Sequence, residues 1–372
     1  MTLVASSDLF LPIKIGDVEL EHRIVMAPLT RFRADDSHVH REAAVEYYSQ
    51  RASTPGTLII SEATLISQKA AGIPNVPGIW TPEQIQGWRK ITDAVHAKGS
   101  YMFCQLWALG RAASPGAVAA TGDDYVGASA IPMGQGEAPR PLSIKEIRGY
   151  VQDYTQAAKN AMEAGFDGVE LHAANGYLPD QFLQNVTNNR TDAYGGTIEN
   201  RARFILEVLE SLTNTLGQSR VSVRLSPWSK FQGMRMLDPL PTYIHLVKSL
   251  TTAFPNLAYI SLIEPDISGD TDTLGKSTTD TNEPLREIWA PRPVILGGGF
   301  TNKIDLAVKK ANEKGVLILF GRAFVANPDL PERIQLGMKF TPVNRKTLYL
   351  RGPNQRKGYT DYPFARIEGS HL

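Results

Sequence analysis

Eight short runs rich in Val, Ile and Leu alternate along this chain with stretches whose apolar residues recur at helical spacing, and this alternation constrains the fold more than any other feature. The strand candidates are 24–28, 57–62, 101–106, 168–172, 221–225, 259–262, 294–297 and 317–320. Helical stretches follow most of them, at 42–51, 82–97, 144–164, 199–216, 241–252, 303–313 and 329–337. Strands separated by helices pair in parallel, because each return crossing consumes a helix. Capping signals agree with two of the helix starts. Thr81-Pro82-Glu83 places a capping hydroxyl before a proline at the first helical position, and Ser143 stands three residues before Glu146. The expected architecture is α/β, a single (β/α)8 TIM barrel spanning residues 1–372 as one domain, with long βα-loop insertions at 110–142 and 264–287. No linker, low-complexity tract or short repeat divides the chain.

Composition narrows the partners. The chain has 42% hydrophobic and 21% charged residues and a formal charge of +1, which gives no electrostatic reason to expect nucleic acid or an anionic membrane as partner. A small molecule is the expected ligand, bound by a monomer or homodimer. With Cys104 as its one cysteine the chain can form no internal disulfide. Seven histidines without H-E-x-x-H or paired-cysteine spacing give no metal site. The first residues lack a basic segment followed by an apolar one, and no run of about 18 apolar residues occurs. A cytoplasmic location is expected, with a peroxisomal alternative in the C-terminal Ser370-His371-Leu372, which resembles Ser-Lys-Leu.

In a parallel barrel, chemistry sits at the C-terminal ends of the strands. The fourth candidate, read as a largely apolar strand, runs into Leu171-His172-Ala173-Ala174-Asn175-Gly176-Tyr177. His172 and Asn175 can converge on one acceptor oxygen, and Tyr177 carries an O–H that can be given away. A lone H-x-x-N is as a rule a packed histidine, so its neighbours matter. The first strand leads to Thr30, the third carries Gln105 and Trp107, and the fifth carries Arg224. The seventh ends in Gly297-Gly298-Gly299 and the eighth in Gly321-Arg322, a combination suited to phosphate through backbone N–H groups and a guanidinium. Together these describe a cofactor pocket better than a core.

Taken in order, the segments resemble the old yellow enzyme family of FMN-dependent ene-reductases, fungal type. The similarity runs through Leu11-Pro12-Ile13-Lys14-Ile15-Gly16, His22-Arg23, Ala27-Pro28-Leu29-Thr30-Arg31, Tyr47-Tyr48-Ser49-Gln50-Arg51-Ala52 and Gln105-Leu106-Trp107. It continues through the His172 segment, Gly195-Gly196-Thr197-Ile198-Glu199-Asn200-Arg201, Arg224-Leu225-Ser226-Pro227, Gly321-Arg322, Asn327-Pro328-Asp329-Leu330 and Gly358-Tyr359-Thr360-Asp361-Tyr362-Pro363. The resemblance implies bound FMN, NADPH or NADH as hydride source, and reduction of the C=C bond of an activated alkene, in the manner of an NADPH dehydrogenase. It implies that Thr30, Gln105 and Arg224 hydrogen-bond the flavin, that Pro28, Leu29 and Ala63 line it, and that Gly298, Gly299, Gly321 and Arg322 hold its phosphate. By the same resemblance His172 and Asn175 bind the substrate's carbonyl or nitro oxygen, hydride leaves flavin N5, and Tyr177 protonates the α-carbon. Phe32, Ile73, Trp107 and Tyr359 are the implied substrate walls.

Thr30 aligns the chain with the main branch of the family rather than the branch that carries cysteine there. Phe32 and Ile73 stand where some relatives have other side chains, and Arg31-Phe32-Arg33-Ala34-Asp35 resembles the same segment of ergot-alkaloid pathway reductases. Alternatives are an isomerase or dehydrogenase on the same flavin barrel, a pathway-specific reductase of fungal secondary metabolism and, more remotely, a non-redox barrel that binds a sugar phosphate.

Overall fold

The computed structural model describes residues 7–269, 271–273 and 279–365; Ser370-His371-Leu372 lies outside the described residues. Eight strands form the barrel: β1 Ile24–Met26, β2 Leu58–Ile60, β3 Tyr101–Trp107, β4 Gly168–Ala173, β5 Val221–Leu225, β6 Tyr259–Ile263, β7 Val294–Gly297 and β8 Val316–Phe320. Each pairs in parallel with its neighbours in chain order. The ring closes where β8 pairs with β1, at Ile318↔Ile24 and Phe320↔Met26. All eight were legible in the sequence, with ends that differ by no more than a few residues.

The helices that follow the strands are α1 Glu42–Arg51, α2 Pro82–His96, α3 Ile144–Glu163, α4 Ile198–Leu216, α5 Leu240–Ala253, α6 Glu283–Trp289, α7 Ile304–Ala311 and α8 Leu330–Gln335. Capping boxes start α2, between Thr81 and Gln84, and α3, between Ser143 and Glu146; a capping side chain of this kind is worth about 1 kcal/mol. Helix α6 corrects the sequence reading, which extended the loop after β6 to residue 287. Only seven residues long, α6 is held by burial of Leu285, Arg286 and Trp289 rather than by a long apolar stripe. Within the insertion after β3, a short helix Pro115–Ala119 and paired strands Val126–Gly127 and Arg140–Pro141 give the chain local order.

Strand residues alternate between two apolar layers. Ile24, Met26, Ile59, Met102, Cys104, Leu106, Val169, Leu171, Val221 and Val223 face the helices. Val25, Leu58, Ile60, Phe103, Tyr259, Ile295 and Leu317 fill the lower barrel interior, so the strands are buried on both sides, as a parallel sheet requires. The sequence analysis assigned no element before residue 24, yet a hairpin of Ile13–Ile15 and Val18–Leu20 closes the base of the barrel and adds Ile15, Val18 and Leu20 to that interior. Gly16 makes its turn possible. Its φ is 52°, and a Cβ there would lie 1.8 Å from the Ser219 carbonyl oxygen.

Candidate active site

Above the apolar layer, at the C-terminal ends of the strands, lies a cavity of 830 Å³, within the range of roughly 300–1,000 Å³ usual for small-molecule sites. The sharpest geometry in it belongs to the turn after β4. Asn175 and Gly176 both adopt left-handed backbone, at φ 57° and 80°, a conformation that Asn and Gly tolerate best. The Asn175 N–H donates to Ser226 Oγ at 2.7 Å, and the Gly176 N–H donates to Asp180 Oδ2 at 2.8 Å. Asp180 is fully buried, takes further hydrogen bonds from Gln184 and Tyr243, and is pushed by burial up to about 6. The turn sets the Tyr177 ring edge-on to both His172 and Trp107, with centroids 4.8 and 4.9 Å apart.

Burial fixes the charge state of this corner. It pushes the His172 imidazole well below its ordinary value, and Arg224, its cross-strand neighbour on β5, pushes it in the same direction. Burial also raises the Tyr177 phenol above its usual range, opposed by the side chain of Gln232. Both groups are therefore neutral near pH 7. His172 Nδ1, Asn175 Oδ1 and Trp107 Nε1 are buried with no hydrogen-bond partner among the described residues, which is unusual for a folded interior and characteristic of a site that binds a polar molecule.

One layer deeper are two ionisable groups of opposite type. Glu170 on β4 is fully buried, Arg224 on β5 is partly buried at the cavity wall, and the Gln105 side chain on β3 donates to Glu170 Oε1 at 2.7 Å. Desolvation raises the carboxyl and lowers the guanidinium, and each charge opposes the other's shift. Arg224 also donates to Ser261 Oγ at 3.2 Å.

Residues 8–340 match the family model described as the NADH:flavin oxidoreductase / NADH oxidase family. The chain belongs to this family. It is similar to the NADP-dependent oxidoreductase lnbE of Aspergillus flavus, at 49% identity over 372 residues that cover 96% of this chain and 97% of that one. It is similar also to a chanoclavine-I aldehyde reductase of Penicillium roqueforti, at 48% identity over 363 residues and 96% of each chain. The crystal structure of an old yellow enzyme from Pichia sp. superposes with a TM-score of 0.90 at 36% identity, covering 99% of this chain and 95% of the other. The chain is accordingly an FMN-dependent oxidoreductase of old yellow enzyme type, and the sugar-phosphate alternative is set aside.

For a member of this FMN family, the cavity has suitable donors. Pro28, Leu29, Thr30, Phe32, Ile73, Trp107, His172, Asn175, Tyr177, Arg224, Gly298, Gly299, Gly321 and Arg322 all line it. Gly298 and Gly299 have φ of 128° and 77°, and a Cβ on Gly299 would lie 2.8 Å from Asp266 Oδ2, so bare backbone is required there. Arg224 Nε and Glu170 Oε2 are further buried atoms with no close hydrogen bond among the described residues. Arg322 already pairs with Asp272, which the hairpin Ile267–Ser268 and Thr271–Asp272 brings to the cavity.

Three of the expected residues do not line the cavity. Ala63 packs behind it against Leu65 and Trp107, and Gln105 is buried against Glu170. Tyr359 is fully buried and stacks on Tyr47 at 4.1 Å, with Arg31 and Arg33 over its ring. It is part of the support rather than a substrate wall. Arg31 and Arg33 explain why. Their guanidinium groups donate to the carbonyl oxygens of Thr347, Leu348, Gln355, Lys357 and Gly358, strapping the C-terminal segment across the mouth of the barrel. That strap delivers Tyr349 and Arg351 to the cavity, with Arg351 4.6 Å above the Phe32 ring.

Sequence reasoning missed Glu170, Asp180, Glu62 and this strap. Glu62 accepts the Arg31 N–H at 3.1 Å and so fixes the segment that carries Thr30. A carboxylate within an otherwise apolar strand run was the one available signal, and it marked both Glu62 and Glu170.

Proposed function

We propose that this protein reduces the C=C bond of an activated alkene, an α,β-unsaturated carbonyl or nitro compound, with NADPH or NADH as the electron source. Thr30 and Arg224 would hydrogen-bond FMN, with Arg224 at its pyrimidine end and the Gln105 amide, held by Glu170 one layer below the cavity wall, turned toward the same end. Pro28 and Leu29 would pack along its ring, and Gly298, Gly299, Gly321 and Arg322 would hold its phosphate. When bound and reduced, FMN supplies the hydride that the alkene's β-carbon accepts.

The observation that carries this reading is the neutral His172, Asn175 and Tyr177 corner. His172 and Asn175 act as an oxyanion site, donating to the substrate's carbonyl or nitro oxygen as negative charge develops on it. An imidazole that is uncharged at neutral pH polarises that oxygen without being a strong acid itself, and so leaves protonation to another group. Tyr177 gives its O–H proton to the α-carbon, which completes the addition of hydride and proton across the double bond. Its hydroxyl suits that task because burial keeps it protonated. Phe32, Ile73, Trp107 and Tyr349 add apolar surface to the same cavity, matching a hydrophobic alkene body.

Tyr177→Phe tests the assignment. Stopped-flow measurement of the two half-reactions should show reduction of the bound FMN by NADPH near wild type and reoxidation by 2-cyclohexenone slowed ~100-fold or more, the usual contribution of a placed proton donor. Equal slowing of both half-reactions would remove Tyr177 from the role. Reduction is told from isomerisation and dehydrogenation by the product and by flavin reoxidation, since only net reduction consumes the reduced flavin and yields the saturated compound.

A further inference from the structure

Inside the barrel, Glu170 is a costly residue. It sits on a strand whose neighbours Val169 and Leu171 face the helices, it is fully buried, and its Oε2 makes no close hydrogen bond among the described residues. Burying an ionisable group in a protein interior costs several kcal/mol unless other charges or hydrogen bonds offset it, so a merely apolar core would be better served by Leu or Met at this position. Gln105, Arg224 and Tyr259 act on the Glu170 carboxyl, and the first two are the residues placed above at the pyrimidine end of FMN. Register sets Glu170 directly opposite Gln105 on β3, and Arg224 is cross-strand to His172 on β5, two residues further along β4.

We propose that Glu170 is a positioning residue for the cofactor, which fixes the orientation of the Gln105 side-chain amide and offsets the charge of Arg224, and so sets the reduction potential of bound FMN. This role rests on the FMN placement proposed above. A carboxylate has only acceptors to offer, so the 2.7 Å contact must be made by the Gln105 NH2 group. The Gln105 carbonyl oxygen is thereby turned away from Glu170, which leaves it to accept from an imide N–H. The backbone N–H of Gln105 is held separately, by Ser61 Oγ at 2.9 Å, so the side chain can reorient without moving the strand. Arg224 favours electron-rich, reduced flavin because negative charge develops at the pyrimidine end on reduction. Glu170 moderates that preference, since two opposite charges in a poorly screened interior present a weaker field to a third group than either does alone.

Glu170→Gln keeps the shape of the side chain and removes the charge. The measurement is the midpoint potential of bound FMN, with FMN affinity and thermal stability taken on the same preparations. The expected result is a preference for reduced over oxidised FMN that rises roughly tenfold, a shift of about 30 mV to more positive potential for a two-electron couple. Oxidised FMN should bind more weakly as well, because a Gln–Gln pair accepts either amide orientation. A purely structural Glu170 would lower thermal stability and leave the potential where it is, and that outcome overturns the proposal. Should Glu170→Gln not accumulate as folded protein, the same shift is read between Arg224→Gln and Glu170→Gln/Arg224→Gln, and equal potentials in that pair overturn it. A wild-type protein that holds no FMN would instead defeat the cofactor placement on which the inference rests.

Discussion

The lower and upper halves of the barrel interior are lined by the same strands, yet they differ in almost every chemical respect. Below, Val25, Leu58, Phe103, Tyr259, Ile295 and Leu317 pack against the plug of Ile15, Val18 and Leu20. Above, one or two strand residues further along, the inward positions are Gln105, Glu170, His172 and Arg224, with several buried polar atoms lacking partners. Alternation decides which strand residues point inward; it does not decide what they are. The contrast shows that the lower half carries stability for the upper, where burying charge and leaving donors unpaired costs stability and gains chemistry.

The largest expected effect comes from breaking the lower half. Phe103 is 1% exposed, its ring lies 5.6 Å from Tyr259, and a Cβ on Gly168 would come within 2.6 Å of it. Phe103→Ala should therefore lower unfolding free energy by about 3–5 kcal/mol in urea titrations, while the folded fraction keeps the absorbance spectrum of its bound flavin. A changed spectrum would show that the two halves are not separable.

His172→Ala probes the upper half with a smaller effect and the opposite profile. Because His172 Nδ1 has no hydrogen-bond partner among the described residues, its loss should cost less stability than Phe103→Ala. Binding of a phenol, whose phenolate imitates the developing enolate, should weaken by about 1.5–3 kcal/mol, the worth of one hydrogen bond to a charged group. Titration of the bound flavin's absorbance reads this directly, and an unchanged dissociation constant would take His172 out of the oxyanion site.

The smallest expected effect is an absence of slope. Burial lowers His172 below 6.5 and raises Tyr177 above 10, so neither group changes charge between those values. Neither group should therefore add a step to the rate of alkene reduction by pre-reduced enzyme between pH 6.5 and 10. The sign follows from each shift: a lowered histidine gains its proton only in more acidic solution, and a raised phenol loses its proton only in more basic solution. A step near pH 6.5 would mean that water reaches the imidazole and that the upper half is less dry than its geometry indicates.

Much of this protein was legible before its structure. Period and punctuation located all eight strands, because each strand must be apolar on both faces and each helix on one. The turn carrying His172, Asn175 and Tyr177 was visible because its polar residues follow an apolar run at once. Helix α6 was missed because seven residues are too few for a helical period to emerge from an Asp- and Thr-rich surrounding. Tyr359 was misplaced, and Tyr349 and Arg351 were passed over, because their positions depend on buried Arg31 and Arg33 bonding to carbonyls more than 300 residues away along the chain. Glu170 stood in plain view within a strand, but its meaning depends on Gln105 and Arg224, which approach it from two other strands. The sequence by itself determined the alternation, the strand count and the chemistry available at the strand ends, since these follow from local pattern. Tertiary structure alone decided which polar groups share a layer, which lose their water, and hence which are neutral and which are charged, because desolvation and cross-strand register are properties of the closed barrel and of no single segment.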